Sequence, residues 1–258
     1  MSNIKNAFSK GKAFIGFLTA GDPSLEKTAE FILSMAEAGA DLVEIGIPFS
    51  DPIAEGPVIQ KANVRALSVG TNLPKIFEMV KTVRLKTKIP LVFLTYLNPV
   101  FTYGYDHFFK DCNESGIDGV IIPDIPYEEK AELLPFSEKY NIDIISLIAP
   151  TSEARIGKIA SEAKGFVYCV SSMGVTGVRQ EIKTDLSLII SAVRSATDVP
   201  MAVGFGISTP EQASEICRYS DGVIVGSAIV KLIEEHGEAS AKPLFEYVQK
   251  MKQAITKK

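Results

Sequence analysis

The chain has 258 residues, 46% of them hydrophobic, with a formal net charge of -4 and an isoelectric point near 5.4. That supports a sizeable core and excludes global disorder, argues against a nucleic-acid binder with its usual basic face, and contains no apolar run near the ~20 residues a bilayer needs. Three scattered cysteines (Cys112, Cys169, Cys217) and only two histidines (His107, His236) point to a reducing, cytoplasmic location and leave no disulfide frame or histidine metal cluster.

Residues 1–14 lack the apolar stretch of a signal peptide and read as a short amphipathic helix. Beyond them, short runs rich in Val and Ile recur at 13–18, 42–47, 91–96, 119–122, 143–148, 165–170, 201–204 and 222–225. Their near-continuous hydrophobicity is that of parallel strands buried on both faces. Helical patterns lie between them at 25–38, 73–86, 106–114, 127–139, 152–163, 184–196, 210–218 and 227–235, and 243–254 closes the chain. Residues 38–41 (AGAD) and 115–118 (SGID) echo one another just before strands, a weak trace of a repeating unit. Eight strand–helix units without a long linker predict an α/β fold. The expected architecture is a single (β/α)8 barrel spanning 1–258, with an extra N-terminal helix and additional short helices. A doubly wound sheet would need fewer strands or a second domain, and its glycine fingerprint is absent, since the run at Gly204 ends in Thr209.

In such a barrel the chemistry lies in the loops after the strands. The loop at 48–60 is long and acidic, and the one at 171–183 carries Gly174 and Gly177 like a hinged lid. Leu42, Glu44 and Gly46 alternate onto one strand face, so an inward Glu44 sits near the barrel mouth with Gly46 leaving space above it. Apolar neighbours would raise its pKa and let it act as both acid and base; the alternative is a structural glutamate paired with an arginine or capping a loop. Glu55, bracketed by Pro52 and Pro57, is either a second working carboxylate or a solvated loop acid. Asp22, Asp51 and Asp124 are read as solvated acids. Gly204, Gly206, Gly226 and Ser227 form two glycine turns after the last two strands, where barrels hold phosphate by backbone amides and a helix N-terminus. The other reading is that these glycines only shape tight turns. No lysine or arginine is evident there. Phe17, Leu94, Tyr96, Tyr168 and Phe205 could wall a flat apolar ligand or simply pack the core.

Several motifs, in order along nearly the whole chain, resemble the tryptophan synthase alpha subunit family. They are LVEIGIPFSDP at 42–52 with GPVIQ at 56–60, TAGDP at 19–23, PDIP at 123–126, GVTG at 174–177, GFGIS at 204–208 and VGSA at 225–228. The resemblance implies a (β/α)8 lyase that cleaves indole-3-glycerol phosphate to indole and glyceraldehyde 3-phosphate in tryptophan biosynthesis. It implies no cofactor or metal in this chain. Pyridoxal phosphate is expected in a partner beta subunit that receives the indole within an alpha2beta2 heterotetramer. By the same resemblance Glu44 is the catalytic acid–base, Glu55 binds the indole N–H, and Thr176 meets Glu55 on lid closure. Gly177, Phe205, Gly206, Gly226 and Ser227 belong to the phosphate site, and Phe17, Leu94, Tyr96 and Tyr168 line the pocket. The family more often has aspartate at position 55, so here either the loop sits further back or the side chain folds. A stand-alone lyase of the same family and a catalytically silent phospho-ligand-binding barrel are the competing functions.

Overall fold

The computed structural model describes residues 3–150, 153–170, 179–204 and 206–256. Runs that are apolar on both faces bury themselves only when covered on both sides, and the strands meet that condition. β1 (Ala13–Thr19) and β2 (Leu42–Gly46) are buried at every residue. They are followed by β3 (Leu91–Leu94), β4 (Gly119–Ile121), β5 (Asp143–Ile144), β6 (Ser146–Ile148), β7 (Val167–Val170), β8 (Met201–Gly204) and β9 (Gly222–Val225). All pairings are parallel, in the order β5-β4-β3-β2-β1-β9-β8-β7-β6. The order begins and ends on two halves of one segment. β5 pairs with β4 and β6 pairs with β7, so the sheet closes on itself through residues 143–148. The expected fifth strand is therefore split at Ile145, where the chain changes partner, as the stagger of a closed barrel requires.

Alternation sorts the strand residues into two layers. Ile15, Leu42, Val92, Ile121, Ala202 and Ile224 fill the barrel interior, whereas Phe14, Val43, Ile45, Phe93 and Val223 face the helices outside. The floor of the interior is plugged by α1 (Ile4–Ala7), whose Ile4 and Ala7 join the inner cluster; this is the short amphipathic helix expected at the N-terminus.

The outer helices are α2 (Leu25–Glu37), α3 (Pro57–Ser68), α4 (Leu73–Arg84), α5 (Leu97–Tyr103), α6 (Tyr105–Ser115), α7 (Leu134–Tyr140), α8 (Glu153–Ser161), α9 (Arg179–Ala196), α10 (Pro210–Ile216), α11 (Ser227–His236) and α12 (Ala241–Thr256). α2 starts where the Ser24 side chain accepts from the Lys27 N–H, and it buries Phe31, Ile32 and Met35. α10 opens on a capping box of Thr209 and Gln212. Among the outer helices, three boundaries differ from the sequence expectation by more than two residues. The loop expected to run to Gln60 ends at Gly56, because Pro57 sits at the first helical position, where its missing N–H costs nothing. The helix expected over 127–139 is broken into a 3-10 turn, Lys130–Glu132, and α7, since Pro135 is accommodated only in a first turn. α9 begins at Arg179, not Thr184, which shortens the expected lid; residues 171–178 lie outside the described residues.

An aspartate just before a strand recurs three times on the floor. Asp41, Asp118 and Asp221 accept from the backbone N–H of Phe14 (2.7 Å), Leu91 (3.0 Å) and Met201 (2.9 Å) at the start of the neighbouring strand. Each also meets a cation: Lys252 on Asp41 at 2.6 Å, Arg84 on Asp118 at 2.7 Å, and Arg194 on Asp221. Asp118 in addition accepts from the Asn3 N–H at 3.0 Å and so fastens α1 into place. The echo between 38–41 and 115–118 is the trace of this device. Among the described residues, no helix is long and apolar enough to cross a membrane.

Candidate active site

The site is built around Glu44. Val43 and Ile45 turn outward into the helix layer, so the residue between them points into the barrel beyond Leu42. Glu44 is 1% exposed, and its Oε1 has no hydrogen-bond partner among the described residues. No arginine pairs with it among those residues, which removes one of the two structural alternatives. Burial alone pushes its carboxyl pKa up to about 8. Gly46 does not leave open space. The ring of Phe17 fills it, with Cζ 2.7 Å from where a Gly46 Cβ would be, so any side chain there would displace the pocket wall.

Above Glu44 lies a cavity of about 570 Å³. Phe17, Leu94, Tyr96, Leu147 and Tyr168 supply its apolar wall, and Glu44 and Glu55 both reach it. The Tyr168 ring stacks on Phe166 at 6.4 Å. Its hydroxyl is pushed well above the ordinary phenol range by burial and, secondarily, by the charge of Glu44. Gly204 does not line this cavity. A Cβ there would lie 2.6 Å from the Tyr168 hydroxyl, so its lack of a side chain serves Tyr168.

Glu55 ends the loop just before the α3 N-cap, Gly56. Its carboxylate folds back onto that helix, Oε2 accepting from Asn63 Nδ2 at 2.6 Å. The Tyr96 hydroxyl also donates to it. The loop is pinned by the Ala54 N–H on the Tyr96 oxygen (3.1 Å) and by Gln60 Nε2 on the Glu55 carbonyl (2.8 Å). Burial raises the Glu55 pKa, and the Asn63 and Tyr96 hydrogen bonds oppose that rise. Glu55 is therefore a held carboxylate, not a solvated one, with its side chain folded back onto α3. Asn63 is 3% exposed; its signal in the sequence was a polar residue on the apolar face of α3, two turns from Glu55.

The far end of the cavity is lined by Gly206, Ser208, Gly226 and Ser227. Gly226 caps α11, whose first amides open onto this end. Lys231, one turn along α11, lines it too, contrary to the expectation that no cation is present. Thr176, Gly177 and Phe205 lie outside the described residues. The other loop acids have structural partners. Asp22 is 2% exposed and bound bidentately by Arg65 at 2.8 Å on both oxygens, not solvated. Asp124 accepts from the Leu97 N–H at 2.9 and 3.1 Å, starting α5. Exposed Asp51 accepts from Ser50 Oγ. Among the described residues, no group of three or more His, Cys, Asp or Glu is placed to hold a metal.

A sequence profile of the family described as tryptophan synthase alpha chain matches residues 3–256. The chain belongs to that family. It is 50% identical to the tryptophan synthase alpha chain of Lactiplantibacillus plantarum over 256 residues, covering 99% of this chain and 97% of that one. The solved alpha subunit from Legionella pneumophila superposes with a TM-score of 0.90 at 35% identity, covering 99% of this chain and 98% of that chain. A chain from the Pyrococcus furiosus tryptophan synthase a2b2 complex gives 0.87 at 36% identity, over 95% and 99% of the two chains. In this member of the alpha chain family, the motifs at 42–60, 204–208 and 225–228 converge on one cavity, with Glu44 and Glu55 on its wall and a glycine-lined far end.

Proposed function

We propose that this chain cleaves indole-3-glycerol phosphate to indole and glyceraldehyde 3-phosphate, a carbon–carbon lyase reaction. The observation that carries this reading is a buried Glu44, its Oε1 without a partner among the described residues and its carboxyl pKa pushed up to about 8 by burial, sharing one apolar cavity with a second, held carboxylate.

The chemistry follows from what each group can do. Indolyl anion is a poor leaving group, so the ring carbon bearing the side chain must be protonated before its bond to the glycerol breaks. Protonated Glu44 gives that proton. The positive charge then spreads to the ring nitrogen, where the Glu55 carboxylate accepts the N–H and stabilises it. The carbon–carbon bond breaks as the adjacent hydroxyl loses its proton to Glu44, becoming the aldehyde carbonyl. The electron pair returns to the ring, and Glu44 ends as it began, protonated. Phe17, Leu94, Tyr96 and Tyr168 wall the indole. The amides at Gly206, Gly226 and Ser227 hold the phosphate, with Phe205, Thr176 and Gly177 assigned to the same closed site by family position. Anchoring the remote phosphate orients the reacting carbon.

The same reading makes the chain the cytoplasmic alpha part of an alpha2beta2 heterotetramer, passing indole to a beta subunit that holds the pyridoxal phosphate. The Pyrococcus furiosus relative, described as an a2b2 complex, supports this. So do the exposed apolar side chains of Ile53 (79%), in the loop before α3, and Phe101 (68%), on α5. The test is steady-state indole release from indole-3-glycerol phosphate, with and without a beta subunit. Cleavage stimulated by the partner is expected. High activity indifferent to the partner points to a stand-alone lyase, and no cleavage under either condition overturns the reading.

A further inference from the structure

Lys231 is the one lysine or arginine among the described residues lining the cavity. It lies one turn along α11 from Ser227, whose amide opens onto the glycine-lined end. Helical side chains lean toward the helix N-terminus, so the Lys231 stem rises on the side where Gly226 and Ser227 present their amides. Its present partner is a weak one. Lys231 Nζ lies 3.7 Å from Glu235 at i+4, and the two side chains are 65% and 51% exposed. Exposed pairs of this kind contribute little and exchange readily. Glu235 also sits in the last turn of α11, where the helix dipole disfavours a carboxylate. A phosphate dianion at the other end of the same helix lies on the side the dipole favours and makes a stronger, charge-assisted partner.

We infer that Lys231 is a phosphate-recognition residue that exchanges Glu235 for the terminal phosphate of the ligand when the cavity fills, and so sets the preference for phosphorylated over unphosphorylated ligands. This rests on the cavity being the indole-3-glycerol phosphate site. Glu235 is then a competitor of the substrate for the same ammonium. Backbone amides give the phosphate its position, and Lys231 adds charge from the solvent side without constraining the reacting end.

Substitutions on the two sides of the pair therefore shift affinity in opposite directions, which a purely structural role would not produce. The experiment measures kcat and KM for indole-3-glycerol phosphate cleavage, and inhibition constants for glycerol 3-phosphate and for unphosphorylated indole-3-propanol. The wild type is compared with Lys231→Ala, Lys231→Arg and Glu235→Gln. Lys231→Ala is expected to raise KM and the glycerol 3-phosphate inhibition constant roughly three- to tenfold, with kcat within about twofold and the indole-3-propanol constant unmoved. Lys231→Arg should keep most of the affinity, and Glu235→Gln should tighten phosphate binding. KM should also depend less steeply on salt in Lys231→Ala. Unchanged glycerol 3-phosphate inhibition in Lys231→Ala, or equal weakening for indole-3-propanol, overturns the inference while leaving a cleaving wild type and its functional reading intact. A wild type that neither cleaves the substrate nor binds glycerol 3-phosphate overturns both.

Discussion

The two ends of the barrel treat their carboxylates in opposite ways. On the floor, Asp41, Asp118 and Asp221 each accept a backbone N–H from the adjoining strand and each meet a lysine or arginine. These acids are each paired with a cation and a backbone donor, and their work is to hold strand ends and α1 together. At the mouth, Glu44 is as deeply buried as any of them and has an oxygen with no partner among the described residues. A buried unsatisfied carboxyl is a cost that the rest of the fold must offset. On the proposed function, the contrast separates stability from reactivity: paired charge below, and above an acid with one oxygen unpartnered among the described residues. That division is the one expected of barrel enzymes, whose chemistry lies at the strand C-termini.

The sharpest way to break the comparison is at Glu44. Glu44→Gln keeps the shape and removes the proton, so cleavage should fall by roughly 10²–10⁴-fold while binding of indole-3-propanol phosphate is spared. Single-turnover kinetics within tenfold of wild type would end the acid–base role. The next largest effect belongs to the floor. Asp118→Ala strands Arg84 and frees the Asn3 and Leu91 N–H groups, and is expected to cost about 3–5 kcal/mol in urea unfolding, with kcat nearly unchanged in the folded protein. Loss of kcat without loss of stability would erase the division between the two ends.

Stability against pH gives a third, smaller effect of opposite sign. Glu44 has a folded pKa of about 8, above its ordinary 4.5. Between those values the folded protein keeps a proton that the unfolded chain has released, so this group lowers stability progressively as pH rises through that window. Glutamine pays no such penalty. Glu44→Gln should therefore be more stable than wild type by on the order of a few kcal/mol at pH 8–9, with the difference vanishing near pH 4.5. Parallel melting curves at both pH values would contradict it. The smallest effect is at Glu55. Aspartate keeps the charge but draws back from Asn63, and kcat/KM should drop about tenfold, whereas alanine should lose the 10²-fold or more of a working group. Full activity in the alanine variant would return Glu55 to the class of passive acids.

Much of this was legible in the sequence because it is local. Continuous Val- and Ile-rich runs at regular spacing gave the barrel, and two-residue alternation put Glu44 on one face with Leu42 and Gly46, which packing turns inward. The glycine turns after the last two strands located the far end of the cavity. Helices with weak apolar faces were less legible. α3 was hidden behind the prolines of the acidic loop, and α5 is a seven-residue helix started by Asp124 from another loop.

What the sequence determined by itself was most of the strands and outer helices, their order and which residues share a face, since these depend on periodicity and on immediate neighbours. What only the tertiary structure decided was partnership. Asp22 and Arg65 lie 43 positions apart, yet their pairing turns an apparent solvated acid into a buried clamp. Asn63 folds Glu55 back, Gly204 makes room for Tyr168, and Lys231 faces the cavity from another helix. Whether a carboxylate is a structural anchor or a reactive acid depends on which donors and how much solvent reach it, and those are supplied by chain segments distant in sequence.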